Sequence, residues 1–163
     1  MSGKDIWEEV TTTIGADIRD FLYSNRFVRA IAFPCLNHLT RKNYAYKCGD
    51  YKDVADCIGP NKVQVYRTNR VNRAAYGNKN DGKTGDVLML HPDVADNWGS
   101  YQSVIVHEAT HMIQDYKRLK LTRQEMEMDA HFAQSLYRKK SRSVNDRANS
   151  TPLMRYDLAA QKL

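Results

Sequence analysis

The spacing of apolar positions near the N-terminus predicts two helices. Five apolar residues recur every four positions and would line one face of a first helix. They are Ile6, Val10, Ile14, Ile18 and Leu22. A second helix is predicted over residues 25–33 and should end before Pro34, because proline cannot continue helical hydrogen bonding.

The middle of the chain changes to loop and strand patterns. Residues 40–60 are mixed and polar, which predicts a loop with one short helix over residues 51–57. Alternating valines in "KVQVYRT" predict a strand over residues 62–68. Residues 70–85 are rich in Gly, Asn and Asp and predict a turn-rich loop, and the apolar run "DVLMLHP" predicts a second strand over residues 86–92.

Two further helices are predicted in the last third of the chain. Ser100 is a suitable N-cap for a helix over residues 101–118. Thr122 and Glu125 fit the T-x-x-E capping box, in which each side chain accepts a hydrogen bond from the other residue's backbone N–H. A helix should therefore begin there and run to residue 140, followed by a basic and polar tail over residues 141–163.

The first of these two helices carries the sequence HExxH. His107 and His111 are four residues apart, so their imidazoles lie on one helix face and can converge on a zinc ion. Glu108 is placed to reach a metal-bound water instead of the metal. Zinc lowers the pKa of such a water, and a carboxylate that takes its proton makes it a nucleophile. The motif therefore predicts a zinc centre with Glu108 as general base.

A zinc centre of this kind needs a third protein ligand, which the next helix can supply. In an antiparallel helix pair, a residue some distance before the turn faces one equally far after it. His111 lies seven residues before Arg118 in the link, so its partner is expected within residues 127–131. Glu127 is at that level, whereas Glu125 is closer to the turn and has its capping role. We expect Glu127 to be the third ligand.

Other side chains of this helix leave alternatives open. In a rival register Glu125 is the ligand and Asp129 supports it one turn later. His131 shares the face of Glu127 and is a ligand, a support for a ligand or a donor to the transition state. Tyr137 is the second candidate for stabilising an oxyanion. Asp129 lies roughly opposite Glu127 on the helix and otherwise suits a structural contact.

Composition and charge exclude some classes of protein. The net charge of +6 comes from scattered residues, with one cluster over residues 137–147. Such a cluster can bind phosphates, but it also suits the solvated end of a helix, so nucleic acid is not the expected partner. No apolar run approaches the roughly 18–20 residues of a membrane span, so no membrane partner is expected.

The first ten residues bear on localisation. Asp5, Glu8 and Glu9 occupy the place where a Sec signal peptide needs an apolar stretch. We expect a cytoplasmic protein, or one exported by a route without such a signal.

The motif and its surroundings resemble the zincin metallopeptidases. The likeness lies in "VIVHEATHMIQD", followed by "EMDAHFAQSL" on the next helix. It is similar to small gluzincins, including HExxH domains of bacterial effectors and phage proteins. The third histidine of metzincins is absent, because Gln114 and Lys117 occupy those places.

This resemblance implies an α+β fold and an activity. The fold is one mainly helical, zincin-like domain over residues 1–140, with N-terminal helices in 1–60 and a small sheet and active-site helices in 61–140. Residues 86–92 would be the edge strand, on which a peptide or protein substrate could pair. The expected function is a zinc metallopeptidase. The alternatives are a catalytically silent zincin-like binding protein or effector, and a nucleic-acid-binding protein that uses the basic C-terminal cluster.

Overall fold

Short strands alternate with helices along the chain. The structure is a computed structural model that describes residues 4–37, 40, 42–78 and 85–141. In chain order the elements are β1 (Glu8–Glu9), α1 (Ile14–Ser24), α2 (Arg26–Arg29), β2 (Phe33–Asn37), β3 (Lys42–Tyr46), α3 (Cys48–Asp56), β4 (Val65–Arg67), β5 (Ala74–Asn78), β6 (Asp86–Leu90), α4 (Pro92–Ala95), a 3-10 turn (Trp98–Ser100), α5 (Gln102–Tyr116) and α6 (Arg123–Ser141). The predicted α+β class, with helices around a small sheet, is confirmed.

A four-stranded sheet forms one layer of the domain. Its strand order is β1-β4-β6-β5, with β4 and β6 parallel and the two outer strands antiparallel to their neighbours. The predicted strands over residues 62–68 and 86–92 are present as β4 and β6. The expectation that the second of these forms the sheet edge is wrong, because β6 is an inner strand and β5 lies outside it.

Strand β5 lies within the region that its composition predicted to be a loop. It has no apolar alternation, and it is held by five paired positions along β6, from Ala74 opposite Leu90 to Asn78 opposite Asp86. The apolar residues of β6 supply the burial, since Val87 and Leu88 are each 1% exposed. A strand that depends on its neighbour in this way leaves little local signal.

The first helix begins later than its apolar stripe predicts. Residues 8 and 9 form β1, where Glu8 pairs with Arg67 of β4. The backbone N–H of Val10 then donates to Val65 at 2.8 Å, and α1 starts at Ile14. The N-terminal part of the stripe is therefore taken up by the sheet. Gly15 allows α1 to approach β4 closely, since a Cβ there would lie 2.9 Å from a methyl of Val65.

A hairpin replaces the second predicted helix and part of the predicted loop. Helix α2 covers only Arg26–Arg29 and is capped by the side chain of Asn25. Strands β2 and β3 then pair antiparallel, with Phe33 opposite Tyr46. Pro34 lies inside β2 instead of ending a helix, which is possible because a two-stranded hairpin has unpaired outer edges.

Helices α5 and α6 form the other layer and pack against each other. Residues 51–57 were predicted as a short helix, and the observed helix α3 starts three residues earlier. Tyr101, not Ser100, precedes α5, and its side chain makes no cap. The predicted capping box of α6 is confirmed, because Thr122 N–H donates to Glu125 at 2.9 Å and Glu125 N–H donates to Thr122 Oγ1 at 3.1 Å.

The ends and surfaces of the domain bear on three further expectations. The predicted tail lies outside the described residues apart from Ser141, the last residue of α6. The basic cluster over residues 137–147 is described only as far as residue 141, where it forms the end of α6. Among the described segments, no helix combines the length and the apolar character that crossing a membrane requires.

Candidate metal centre

Helix α5 presents one face to the core and another to the candidate site. Ile105, Ala109 and Met112 lie on the core face, each at most 2% exposed. Tyr116, which the same helical spacing would place with them, is 58% exposed instead, because it is the last residue of the helix. Burial of the core face fixes the rotation of α5 and so directs its histidines toward α6.

Three potential ligands converge between α5 and α6. Nε2 of His111 lies 2.9 Å from one carboxylate oxygen of Glu127, and Nε2 of His107 lies 3.4 Å from the other. One ligand atom from each residue lies within 4.8 Å of the other two. Ligands at about 2.0–2.1 Å from a tetrahedral zinc are roughly 3.3 Å apart. The group predicted from the sequence is therefore brought together at a spacing close to that of a metal site.

A buried glutamine orients His111. The side-chain N–H groups of Gln114 donate to the backbone carbonyl of Met126 at 3.0 Å and to the hydroxyl of Tyr46 at 3.2 Å. Its Oε1 therefore faces Nδ1 of His111, 2.9 Å away. Because this oxygen can only accept, Nδ1 donates to it, and Nε2 is the ring nitrogen that faces Glu127, where it donates a proton in the imidazolium or is left for a metal ion in the neutral ring.

A second glutamine does the same for His107. Nδ1 of His107 lies 3.0 Å from Oε1 of Gln134, whose amide nitrogen donates to the hydroxyl of Ser103 at 3.4 Å. Gln134 and Gln114 are 5% and 3% exposed. Such outer partners fix the ring orientation of metal-binding histidines. Sequence reasoning missed both glutamines, although Gln114 lies one helical turn after His111.

Glu108 lies beside the histidines and is 6% exposed. Burial raises the pKa of its carboxyl above the ordinary value, against the lowering effects of His107 and His111 and a hydrogen bond from the backbone of Tyr76. A carboxylate with a raised pKa is a stronger base. The environment of Glu108 therefore suits proton transfer.

The charge balance of the cluster is complementary to a cation. Hydrogen bonds from His107 and His111 lower the pKa of Glu127. Burial lowers the pKa of His111, but its bonds to Glu127 and Gln114 outweigh burial and raise the pKa overall. Both pKa shifts show that the Glu127 carboxylate stabilises positive charge beside the histidines. A metal ion would supply such a charge at the same point.

A cleft passes over this cluster. On one side lies a cavity of about 760 Å³ that reaches the turn between α5 and α6, and on the other lies one of about 330 Å³ that reaches His131. Both are lined by Ala74 of β5 and by His107 and Glu108. The candidate site therefore lies at the middle of the cleft, with space on either side.

The edge of β5 forms one wall of the cleft. The carbonyl of Arg73 accepts from His91 N–H at 2.9 Å and so points toward β6. Backbone groups alternate in direction along a strand, so those of residues 74 and 76 point away from β6. This agrees with the hydrogen bond from the backbone of Tyr76 to Glu108.

His131 lies beside the three potential ligands. Its Nε2 is 3.7 Å from a carboxylate oxygen of Glu127, and its ring centroid is 4.6 Å from that of His107. Burial, together with the charge of His107, lowers its pKa. The structure thus places His131 next to the three potential ligands.

Tyr137 lies away from the cluster. It is 1% exposed, its ring packs edge-on against Phe21, and its hydroxyl donates to Gln102. The expected oxyanion role does not fit this placement, because the hydroxyl is directed to a partner on α5 within the core. Tyr137 lies six residues after His131, so the two do not share a face of α6. Its partner Gln102 is set by the packing of α5 against α6.

The two remaining carboxylates of α6 have structural contacts. Glu125 caps the helix through Thr122. Asp129 accepts hydrogen bonds from the hydroxyls of Tyr44 at 2.6 Å and Tyr46 at 2.8 Å. The rival register with Glu125 as ligand is therefore not the one the structure brings together.

Comparison with known proteins adds no relative. A scan against protein-family models, a search of curated proteins and a search of solved structures each found no match to this chain.

Proposed function

We propose that this protein is a zinc-dependent metallopeptidase with a zincin-like site. The convergence of His107, His111 and Glu127 to within 4.8 Å is the observation that carries the proposal. Two imidazoles and a carboxylate form one of the ligand sets of catalytic zinc, which leaves a position for water or substrate. Bound zinc would lower the pKa of that water and polarise the scissile carbonyl.

Residues of this chain would perform the proton transfers and the positioning. Glu108 would take the proton from the attacking water and deliver it to the leaving amine, which its raised pKa favours. Gln114 and Gln134 would hold the two imidazoles in the tautomer that binds metal. His131 would donate to the developing oxyanion from the side of the smaller cavity.

The cleft supports a peptide or protein as substrate. An extended chain could pair with the outward-facing backbone groups of residue 74 and with the carbonyl of residue 76, since the backbone of Tyr76 already donates to Glu108. The space on both sides of the metal cluster would hold residues before and after the bond that is cut. The sequence led us to expect this pairing on residues 86–92. We propose it on β5 instead, because β5 is the outer strand of the sheet.

The first test measures metal in the purified protein. Elemental mass spectrometry should find about one zinc per chain, because the site has three convergent ligands. His111→Ala should lose the zinc, whereas His91→Ala should keep it, since His91 caps α4 away from this cluster. A protein that remains metal-free after zinc titration would refute the metalloenzyme.

The second test separates catalysis from silent binding. Glu108→Gln should keep zinc and fold but lose cleavage of a peptide library by at least about 100-fold, because only the base is removed. The wild-type protein must cleave members of the same library for the peptidase to stand. Tight zinc binding without any peptide cleavage would instead favour the catalytically silent zincin-like binding protein.

A further inference from the structure

An arginine occupies a backbone conformation that favours glycine at the end of the cleft. Arg118 has a φ of 53°, in the left-handed region. It follows α5 in a Schellman motif, with Arg118 N–H donating to Asp115 and Leu119 N–H donating to Gln114. Glycine is the usual residue at this position, since it has no Cβ to strain there. An arginine that bears this strain calls for a function of its side chain.

Arg118 and Arg123, which are both exposed, line the larger cavity. Two acidic residues that also line this cavity have other partners: Asp115 accepts from the hydroxyl of Tyr76 at 2.6 Å, and Glu127 contacts the histidines. Within the part of the chain that the structure describes, no ion pair joins either arginine to an acidic residue. Among the described residues, both arginines are therefore available to an anion of a ligand.

We propose that Arg118 and Arg123 bind a carboxylate of the substrate, next to the bond that is cut. This inference rests on the proposed function. Arg123 lies four residues before Glu127, so the two positions are about 5–6 Å apart on one helix face. An extended peptide advances about 3.3 Å per residue, so the carboxylate belongs one or two residues from the scissile bond. Guanidinium groups suit it because they bind carboxylates through two parallel hydrogen bonds.

Two acidic residues of the same cavity bear on the direction of the ligand. Asp86 and Asp115 line it on the side of β5, where Asp115 bonds the hydroxyl of Tyr76, and burial, with the charge of Asp115, raises the pKa of Asp86. A carboxylate would be repelled there and attracted by the arginines. The cavity therefore accepts an acidic group at the turn between α5 and α6.

Hydroxamates of graded length test the proposal on the full-length, zinc-loaded protein. Acetohydroxamate binds zinc alone, whereas succinic acid monohydroxamate carries a carboxylate at about the expected distance. Calorimetry should show the second binding about tenfold more tightly, the scale of one charge-assisted contact. If acetohydroxamate does not bind, the zinc centre itself fails and this inference falls with it. If both bind equally, the zinc centre stands and the arginine site is refuted.

Variants assign the gain to the arginines. Arg118→Gly should abolish the tenfold gain while the melting temperature stays or rises, because glycine suits the left-handed conformation. Arg118→Lys should restore part of the gain, and Arg123→Gln should reduce it. Arg29→Gln removes an exposed positive charge from α2, which does not line this cavity, and should change nothing. A gain that survives in both Arg118→Gly and Arg123→Gln would overturn the proposal.

Two further pairs of ligands identify the source of the carboxylate. Malonyl-hydroxamate linked to glycine is compared with its glycinamide, and the glutamate amide is compared with the glutamine amide. A preference in the first pair assigns a C-terminal carboxylate, and one in the second assigns an acidic side chain. Either preference supports the proposal when Arg118→Gly removes it, and its absence in both pairs refutes it.

Discussion

Two glutamates that are two residues apart have separate tasks in α6. Glu127 contacts both histidines, whereas Glu125 caps the helix. Glu127→Ala should therefore weaken zinc binding by orders of magnitude, because the site loses one of three protein ligands. Glu125→Ala should lower the free energy of unfolding by about 0.5–2 kcal/mol, the scale of a lost cap.

Zinc affinity and unfolding measured on both variants separate these tasks. Glu125→Ala should bind zinc nearly as well as the wild type. Loss of zinc in Glu125→Ala with retention in Glu127→Ala would restore the rival register, in which Asp129 supports the ligand.

The glutamines behind the histidines give a second prediction at this scale. Gln134→Met keeps the approximate volume of the side chain but removes the acceptor for Nδ1 of His107. Zinc affinity should fall by about 10–100-fold, as is typical when an outer partner of a metal ligand is lost. Gln64→Met is the matched control, because Gln64 contacts Pro60 and Tyr66, away from the site.

Competition titration against a zinc-binding dye measures this difference. Equal affinities in Gln134→Met and the wild type would show that Gln134 does not orient the ligand.

The sequence predicted the placement of the site's residues only where local rules apply. Two features are local in the sequence and were predicted. They are the four-residue spacing of His107 and His111, and the capping box that marks the start of α6 and so the position of Glu127 opposite His111. The roles expected of Tyr137 and the contacts of Gln134 depend on packing between α5 and α6. A helical pattern gives the face of a residue but not the partner that faces it.

At the scale of elements, hairpin β2–β3 connects to the candidate metal ligands through hydrogen bonds. Tyr46 donates to Asp129 and accepts from Gln114, which in turn contacts His111. Tyr44 also donates to Asp129 at 2.6 Å. Burial raises the pKa of the Asp129 carboxyl, and these hydroxyls lower it. The hairpin thus stabilises a partly buried acid and supports a ligand through Tyr46.

Matched tyrosine variants separate these two effects. Tyr44→Phe and Tyr46→Phe should each lower the free energy of unfolding by about 1–3 kcal/mol, because a partly buried carboxylate loses a donor. Only Tyr46→Phe should also weaken zinc binding, since it alone leaves an amide N–H of Gln114 without its acceptor. Chemical denaturation and zinc titration of both variants provide the measurements. Equal zinc affinities in the two variants would show that the hairpin does not act on His111.

Helices and strands with a regular apolar pattern in their own sequence could be predicted. Strands held by residues far away in the sequence could not. Helices α5 and α6 and strands β4 and β6 have such periods or apolar runs. Strand β5 depends on β6, and β2 contains Pro34, which is a strong signal against regular structure. The helix predicted from the N-terminal apolar spacing was wrong over Ile6 and Val10. Residues 8 and 9 pair with β4 instead, and Val10 N–H donates to Val65.

At the scale of the whole molecule, the candidate metal ligands lie between α5 and α6, next to the buried core. The buried core includes residues from α1, α3, β6 and the inner face of α5, such as Ile18, Tyr51, Leu90 and Ile113. This apolar core does not depend on the ligands, so the chain should fold without metal. Zinc would then add a link between α5 and α6 that the native state alone possesses.

Removal of zinc should therefore lower the melting temperature without loss of the fold. A ligand at 100 times its dissociation constant stabilises the native state by about 2.7 kcal/mol, and each kcal/mol shifts the melting temperature of a domain this size by about 2–4 °C. Zinc should raise the melting temperature of the chelated protein by roughly 5–11 °C on this basis, with far-UV circular dichroism unchanged. Glu108→Gln should keep this shift, because the base is not a ligand, and His111→Ala should lose it. Loss of the helical circular dichroism signal after treatment with a chelator would show that metal is needed for folding. An equal shift of the melting temperature in His111→Ala would show that zinc binds elsewhere in the chain.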